Sequence, residues 1–286
     1  MVYPAAFMSE PGAVLRLTGE DHVDFLHNQG TRDLRGPEGF CRYTLWLDHQ
    51  GRVHGDAFVL KLDADSMLVV SYQTTASLLV EKFERHIVAD DVEIEDLTRQ
   101  WMLLSLPPGD PPAVSRTDFE READGWRFPG LRLGPGTVDL LRPRSAEAVP
   151  VDQVLLAPQA ERRRLEAGLP AIPADTDGAL LGPLELGLGW AVSFDKGCFL
   201  GQEVVARQHR LQRLPRRLVR VSGAGAPPAV PFDCLVQGQR AGRLTSASET
   251  DGGFLALGWL KARFAGTDLQ LDDRADPLTV EDLTAR

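Results

Sequence analysis

The sequence predicts an α+β protein made of two ferredoxin-like units followed by a small antiparallel β-barrel. Three observations predict this fold class. Strand and helix patterns follow one another in the first hundred residues, a weaker echo of that order follows, and the last part is a run of short strands separated by Gly, Pro and Asp. A chain of 286 residues is long enough for two or three domains. We expect domains at residues 1–98, 99–213 and 214–286.

The first unit alternates strand and helix patterns. Residues 15–17 indicate a short strand, and the apolar spacing after them indicates an amphipathic helix. The residues at 41–47 and 52–62 indicate two strands joined as a hairpin. A buried strand, a helix that starts at Thr74 or Thr75, and a last strand complete the order of a ferredoxin-like unit.

The second unit repeats this order in degenerate form. It opens with a strand at 101–106, and further short strands are predicted at 126–128, 131–133 and 138–141. We expect the apolar residues of 149–155 to lie on a helix. Beyond this unit, regular short strands with turn residues between them indicate the barrel, at 217–221, 234–236, 239–245 and 254–260.

Composition bounds the function. Hydrophobic residues make up 43% and charged residues 25%, as in ordinary globular proteins, and no run approaches the ~20 apolar residues of a membrane helix. A formal net charge of −10 argues against nonspecific nucleic-acid binding as the main task. We therefore expect neither a membrane nor a nucleic-acid partner.

Cysteine and histidine usage predicts a cytoplasmic protein without a metal site. Cys41, Cys198 and Cys234 are far apart and show neither metal-ligand spacing nor a disulfide framework. The N-terminus has neither the basic region nor the apolar core of a signal peptide. His49 and His54 flank one turn, and without Cys or acidic partners at metal spacing we interpret both as polar turn or strand residues.

The most informative segment is residues 194–208, which read FDKGCFLGQEVVARQ. Gly197 and Gly201 flank Cys198, and glycine allows unusual backbone conformations or a close approach. The residues after Gly201 indicate the first turns of a helix. A helix N-terminus and the nearby Lys196 ammonium both stabilise a thiolate, which predicts a lowered pKa for the Cys198 thiol. The alternative is that Cys198 is a small buried hydrophobe.

The residues 196–203, KGCFLGQE, resemble the K-G-C-[YF]-x-G-Q-E motif of the YgfZ family. These are folate-binding proteins linked to the maintenance of iron–sulfur clusters, and they share a fold with the T-protein (aminomethyltransferase) of the glycine cleavage system. The resemblance covers roughly residues 13–264, with Phe199 where the family usually has Tyr. It implies a T-protein-like fold and a site for tetrahydrofolate or a one-carbon derivative in a central channel. It also implies that Cys198 is the functional thiol, at or near that channel.

Two aspartates are candidates for the same site. The strand around Asp56 resembles the G-x-x-x-D-D-x-x-V segment of T-proteins. Asp56 falls on the second aspartate of that segment, and Gly55 is in place of the first. One aspartate of that segment serves catalysis in T-proteins, and the alternative for Asp56 is an outward-facing strand residue. Asp139 falls where T-protein-like chains place an acid that binds the pterin ring. Its alternative is a surface aspartate on a short strand.

Two further segments carry candidate residues. Residues 25–34 resemble the family's F-L-x-G-Q-x-T-x-D segment, where a threonine can line the ligand site or cap a turn. Residues 161–170 resemble R-x-E-A-G-x-P, where the charges can clamp substrate carboxylates, pair with each other or pair along the helix surface. The resemblance thus implies that Cys198 and Asp56 are catalytic and that the cofactor-binding residues are Lys196, Gly197, Phe199, Gly201, Gln202, Glu203, Arg164, Glu166, Asp139, Gln29 and Thr31.

The leading hypothesis is a tetrahydrofolate-binding protein that supports iron–sulfur cluster assembly or repair, with assembly factors or client proteins as partners and no classical enzyme activity. A folate-dependent aminomethyltransferase is the alternative, which Asp56 favours and Cys198 opposes. A third hypothesis is an interaction module that kept the fold and lost the ligand. Basic residues after the motif indicate either a solvated helix end or an anion contact, such as a folate glutamate tail: Arg207, His209, Arg210, Arg213, Arg216 and Arg217.

Overall fold

The computed structural model describes residues 2–109, 118–176, 178, 181–264, 269 and 278–284. The strands within these residues are β1 (Phe7–Ser9), β2 (Ala13–Thr18), β3 (Cys41–Leu47), β4 (Val53–Lys61), β5 (Met67–Ser71), β6 (Glu93–Asp96), β7 (Trp101–Leu106), β8 (Glu120–Glu122), β9 (Gly125–Pro129), β10 (Val138–Pro143), β11 (Arg216–Gly223), β12 (Phe232–Val236), β13 (Gln239–Thr250), β14 (Gly253–Lys261) and β15 (Thr279–Asp282). The α-helices are α1 (His22–Gln29), α2 (Ala76–Glu84), α3 (Ala157–Ala167) and α4 (Gln202–Leu211). The predicted α+β class is confirmed.

The first sheet is antiparallel and has the strand order β3-β4-β5-β2-β6. Both faces of this sheet are buried, since adjacent residues of β2 belong to two different hydrophobic core clusters. Leu15 packs with Phe83 of α2 and with Trp46, whereas Val14 packs with Phe58 and with Phe128 of the next sheet. The helices therefore cover one face, and the second sheet covers the other.

The second sheet has the order β1-β7-β10-β9-β8, so the first strand of the chain pairs with β7 and not with its sequence neighbour β2. The predicted helix over residues 149–155 is wrong. Val151 and Val154 form parallel bridges with Tyr3 and Ala6, and α3 begins only at Ala157, with a proline in its first turn. Residues 131–133 form a turn where a strand was predicted.

The third sheet, β12-β13-β14-β11-β15, occupies residues 216–282, where the sequence predicts the small antiparallel barrel. It joins the rest of the molecule through a core cluster in which Leu45 of β3, Leu165 of α3, Phe199 and Trp259 of β14 pack together. None of the helices in the described parts of the chain has the length and apolar character needed to cross a membrane.

Candidate ligand cavity and cysteine loop

A cavity of about 560 Å³ lies between the first sheet, the second sheet, the end of α3 and the segment 187–190. This volume is within the usual range for small-molecule sites. We call it the central cavity. Its lining residues are Arg32, Cys41, Arg42, Tyr43, Phe58, Pro129, Gly130, Leu131, Pro135, Gly136, Thr137, Ala167, Gly168, Leu169, Pro170, Gly187, Leu188, Trp190 and Leu283.

Aromatic rings form one side of the central cavity. Tyr43 and Phe58 are cross-strand partners on β3 and β4, and their ring centroids are 5.1 Å apart. The Trp190 ring stacks on Tyr43 at 5.3 Å with an interplanar angle of 25°. This arrangement offers flat apolar surface to a planar ring.

Asp56 on β4 is buried at the inner end of this region. Its carboxylate accepts hydrogen bonds from the Tyr43 hydroxyl at 2.7 Å, from Thr74 Oγ1 at 2.8 Å and from Ser71 Oγ at 3.3 Å. Burial raises the pKa of Asp56, although these three hydroxyls oppose the shift. The carboxylate borders a space of about 30 Å³ that shares Tyr43 and other residues with the central cavity. The alternative of an outward-facing strand aspartate is therefore wrong.

Asp139 on β10 is completely buried, so the alternative of a surface aspartate is also wrong. It accepts hydrogen bonds from Ser105 Oγ at 2.6 Å and from the Tyr72 hydroxyl, and burial raises its pKa to about 6. Gly130, which lines the central cavity, lies against it, and a side chain at Gly130 would clash with the Asp139 carboxylate. The missing side chain at Gly130 leaves this carboxylate directly behind the cavity wall.

The cysteine loop, residues 194–201, ends at the start of α4, as predicted. Cys198 is exposed, which excludes the alternative of a buried hydrophobe. The other two thiols are buried, and burial raises the pKa of Cys41 well above its usual value and that of Cys234 to about 12. The lining of the central cavity, as far as the structure describes it, includes Cys41 but not Cys198.

The Lys196 side chain binds backbone carbonyls. Its Nζ is buried and donates hydrogen bonds to the backbone carbonyls of His27, of Gly30 at 2.6 Å and of Arg32 at 3.1 Å. Three N–H donors therefore meet three carbonyls, and burial lowers the pKa of Lys196 to about 8. The ammonium holds the chain that leaves α1 and leads to Arg32 in the cavity wall.

The two glycines of the motif differ. Gly201 has a φ of +80° and packs so closely on Asp48 and Gly51 that a side chain would overlap the Asp48 carbonyl oxygen. Gly197 is exposed, and a Cβ there would meet nothing within 4 Å. Phe199 between them is buried in the core cluster that joins the sheets. Of these two positions, only 201 requires glycine for steric reasons.

The remaining motif residues lie apart from the cavity lining among the described residues. Thr31 is buried and donates to the carbonyl of Ala191 at 2.7 Å, which supports the turn interpretation. Gln29 is partly buried, Gln202 is partly buried at the first position of α4, and Glu203 beside it is exposed.

Arg164 and Glu166 pair with other residues and not with each other. Arg164 is buried and pairs with Asp175 at 2.7 Å and with Glu161 at 2.5 Å, whereas the exposed Glu166 pairs with Arg162 at 2.9 Å. Asp175 also accepts hydrogen bonds from the hydroxyls of two residues on β13, Thr245 and Ser246, each at 2.6 Å. The Arg164–Asp175 pair thus ties α3 to the third sheet, while the side chain of Arg164 borders the small space next to Asp56.

Sequence reasoning missed Arg32 and Trp190, which line the central cavity, and Tyr72, which borders the small space next to Asp56. Arg32 lines the cavity and donates from Nη1 to the Trp190 carbonyl at 2.8 Å. The Tyr72 hydroxyl donates to Asp139 and accepts from the backbone N–H of Leu131 at 2.8 Å. The available signals were weak: Arg32 lies inside the matched 25–34 segment, Tyr72 directly follows a predicted buried strand, and Trp190 precedes the cysteine loop.

Comparison with known proteins gives a family match for the N-terminal part of the chain. Residues 10–108 match the GCVT N-terminal domain family. A chloroplastic protein of Arabidopsis thaliana, whose name assigns it provisionally to the transferases, is 29% identical over 278 residues. That alignment covers 88% of this chain but 64% of the relative, so the chain spans less than two thirds of that protein.

Two kinds of curated relative recur. The mitochondrial iron–sulfur cluster assembly factor IBA57 of Mus musculus is 25% identical, over 83% of this chain and 73% of its own length. An aminomethyltransferase of Streptomyces avermitilis is 26% identical, over 79% of this chain and 70% of its own length.

A solved structure establishes the fold. The crystal structure of the glycine cleavage system aminomethyltransferase T from Bartonella henselae superposes with a TM-score of 0.79 at 20% identity. The match covers 99% of this chain and 86% of that one. The chain has the T-protein-like fold that the sequence predicts. The proteins to which it is similar include aminomethyltransferases and iron–sulfur cluster assembly factors.

Proposed function

We propose that this protein binds a reduced folate, tetrahydrofolate or a one-carbon derivative, in the central cavity and thereby supports iron–sulfur cluster assembly or repair, with Cys198 as the functional thiol. One observation carries the proposal: the central cavity combines an aromatic side with a buried carboxylate directly behind its wall. The T-protein-like fold and the assembly-factor relatives give the proposal its biological context.

The chemistry of a pterin suits this cavity. The pyrimidinone half of a reduced pterin is planar, and its amino-pyrimidinone edge presents neighbouring N–H donors to which a carboxylate is the natural acceptor. Asp139 is the candidate acceptor, reached across Gly130, and Tyr43 and Trp190 supply the stacking surface. With a pKa of about 6, Asp139 is mostly ionised at neutral pH, as that role requires.

The cysteine loop is linked to the cavity by hydrogen bonds. Lys196 holds the Arg32 carbonyl, and the Arg32 guanidinium holds the carbonyl of Trp190. A folate that stacks on Trp190 would stabilise this chain of contacts and with it the loop that presents Cys198. We propose that folate binding and thiol chemistry take place at separate positions connected in this way.

Calorimetric titration with tetrahydrofolate tests the folate step. We expect Cys198→Ala to bind as the parent protein does, and Asp139→Asn to bind roughly tenfold to hundredfold more weakly, because an acceptor for charge-assisted bonds is lost. Asp124→Asn is the matched control, since Asp124 is an exposed aspartate of the same region and pairs with Arg142. If the parent protein does not bind tetrahydrofolate, the folate proposal is wrong.

The thiol step needs a separate readout. In cells that lack this protein, we expect the parent chain to restore the activity of an iron–sulfur enzyme and Cys198→Ala to fail although it still binds folate. Restoration by Cys198→Ala would remove the thiol from the proposal and leave folate binding intact.

A second candidate is folate-dependent aminomethyl transfer, which Asp56 favours. A buried carboxylate with a raised pKa at the inner end of the ligand region suits proton transfer at a folate amine. Such a reaction moves the methylene carbon from an aminomethylated thiol to the folate and releases thiol and ammonia. Methylene-tetrahydrofolate and ammonia formed in equal amounts, and lost in Asp56→Asn, would support this function over the first.

A further inference from the structure

The central cavity has a buried inner part and a rim that contacts solvent. Cys41, Phe58 and Thr137 line the inner part and are buried. Arg32 and Arg42 line the same cavity but are only partly buried. We call these two residues the arginine rim. The proposed function uses the aromatic side and the buried carboxylate of the cavity, and it gives the positive charges of the arginine rim no task.

Neither arginine of the rim forms an ion pair within the part of the chain that the structure describes. Arg32 donates from Nη1 to the Trp190 carbonyl at 2.8 Å. Arg42 donates from Nη1 to the carbonyl of Asp33 and, at 3.3 Å, to that of Arg35. A guanidinium has five N–H donors, and a carbonyl oxygen is neutral. These contacts therefore leave both charges uncompensated and leave N–H groups for a ligand.

The two guanidiniums are close enough to act on each other. Burial and the positive charge of Arg42 lower the pKa of Arg32. The carboxylates of Asp195 and Asp33 oppose this shift, although the Asp33 carboxylate is itself 3.0 Å from Nδ1 of His27. Like charges that are partly buried repel each other, and an anion that contacts both guanidiniums offsets this repulsion. The arginine rim thus favours an anionic group and disfavours a cation.

The side chains of the arginine rim are held in place before a ligand binds. The Arg42 guanidinium carbon lies 4.5 Å from the centroid of the buried Phe40 ring, a cation–π contact. Arg32 is fixed by its hydrogen bond to Trp190. A planar guanidinium matches the two oxygens of a carboxylate, and a preorganised fork loses little conformational freedom when it binds one. A carboxylate is therefore an anion that the rim can hold with paired hydrogen bonds.

The contacts of Trp190 place the arginine rim beside the ring site. Its carbonyl accepts from Arg32, and its ring stacks on Tyr43, where the proposed function places the pterin. Trp190 is also 46% exposed, so this side of the cavity contacts solvent. A flexible tail that leaves the pterin toward solvent on this side passes the two guanidiniums. The glutamate part of a folate carries carboxylates, so it is the part of the ligand with the required charge.

We propose that the arginine rim is an anion subsite of the central cavity that binds the glutamate carboxylates of the ligand, while the inner part binds the pterin. The inference rests on the proposed function and adds a second contact region to the same site. Arg32 and Arg42 supply charge and N–H donors. They select ligands with an anionic tail over neutral ligands of the same shape.

Calorimetric titration with tetrahydrofolate and with its bis-amide, in which both glutamate carboxylates are amides, tests the subsite. The two ligands have nearly the same shape, and we expect the parent protein to bind tetrahydrofolate about tenfold more tightly. This preference should shrink as the ionic strength rises from about 0.05 M to about 0.5 M. Arg42→Met should abolish it, and Arg42→Lys, which keeps the charge, should retain part of it. Arg85→Met is the control for the change in net charge, because Arg85 is exposed at the end of α2 and pairs with Glu81.

Equal affinities of the parent protein for the two ligands would overturn the subsite, and this comparison depends on no variant. An unchanged preference in an Arg42→Met protein that melts at the temperature of the parent would also overturn it. A methyl-substituted tetrahydropterin without a tail separates these results from the proposed function. Its affinity should be the same in the parent and in Arg42→Met, and its binding beside equal affinities for the two folates would leave the ring site intact and remove the subsite.

Failure of both the tetrahydropterin and tetrahydrofolate to bind would make the proposed function wrong. The tail fragment p-aminobenzoylglutamate then decides about the arginine rim by itself. Binding in saturation-transfer NMR that is lost in Arg42→Met would support an anion site at the rim, and absence of binding would overturn it.

Discussion

The cysteine loop and the wall of the central cavity use their polar residues in opposite ways. In the loop, the Lys196 ammonium points inward to backbone carbonyls, and Cys198 is left exposed. At the wall, Asp56 borders the adjoining small space and Asp139 lies behind Gly130, and hydroxyl groups donate hydrogen bonds to both buried carboxylates. Two residues of one motif, Lys196 and Cys198, can thus have different roles, one structural and one chemical, and the fold decides which. Four predictions test that division.

The largest effect on the free energy of unfolding is expected at Arg164, to which we assign a structural role. Arg164→Met leaves Asp175 buried without its cation, so we expect a loss of about 3–5 kcal/mol in the free energy of unfolding. Arg162→Met removes exposed ion pairs on the same helix and should leave the free energy of unfolding nearly unchanged. Urea denaturation measures both. A stable Arg164→Met that fails to bind tetrahydrofolate would instead return Arg164 to the ligand clamp.

The glycines of the cysteine loop provide the next contrast. Gly201→Ala forces a side chain into a left-handed conformation and against the Asp48 carbonyl, and we expect a loss of about 3 kcal/mol. Gly197→Ala should change stability by no more than about 0.5 kcal/mol, because its surroundings are open. Melting temperatures of the two variants decide this point. Equal losses would show that the loop is packed differently around Gly197.

The pH dependence of stability tests the buried wall. The folded state binds the Asp139 proton more tightly than the unfolded chain does, because burial raises its pKa from 3.8 to about 6. The free energy of unfolding should therefore fall as the pH rises from about 4 to about 6 and then level off, by about 3 kcal/mol in total for this group. Urea denaturation at several pH values in this range measures the free energy of unfolding of the parent protein and of Asp139→Asn. The difference between the two proteins should show this decline. Parallel curves for the two proteins would contradict the burial of this carboxylate.

The smallest effect on stability is expected at the thiol itself. Cys198→Ala should change the free energy of unfolding by no more than about 0.5 kcal/mol, since the side chain is exposed. A chromogenic disulfide reagent should modify one thiol of the native protein, about a hundredfold faster than the buried Cys41 and Cys234. Loss of the fast phase in Cys198→Ala assigns it. Fast modification of two thiols would show that a buried cysteine is accessible.

Local patterns predicted most of the elements well. The strands at 41–47 and 67–71 agree with β3 and β5, and the cap at Thr75 and the start of α4 after Gly201 agree with the structure. The helix predicted over 149–155 failed for a tertiary reason. Val149 and Val151 pack against the second sheet beside the N-terminal residues of the chain, and such a pairing partner cannot be identified from the segment alone.

The sequence by itself determined the fold class, the place of the cysteine loop and the two aspartates, because apolar periodicity, turn residues and motif spacing are local properties. The tertiary structure decided the direction of each side chain. It buried Lys196 on carbonyls of α1 and the following turn, placed Asp139 behind Gly130 and brought Trp190 against Tyr43, through contacts between residues distant in sequence. Such contacts depend on how three sheets pack together, and no stretch of the chain encodes that packing alone.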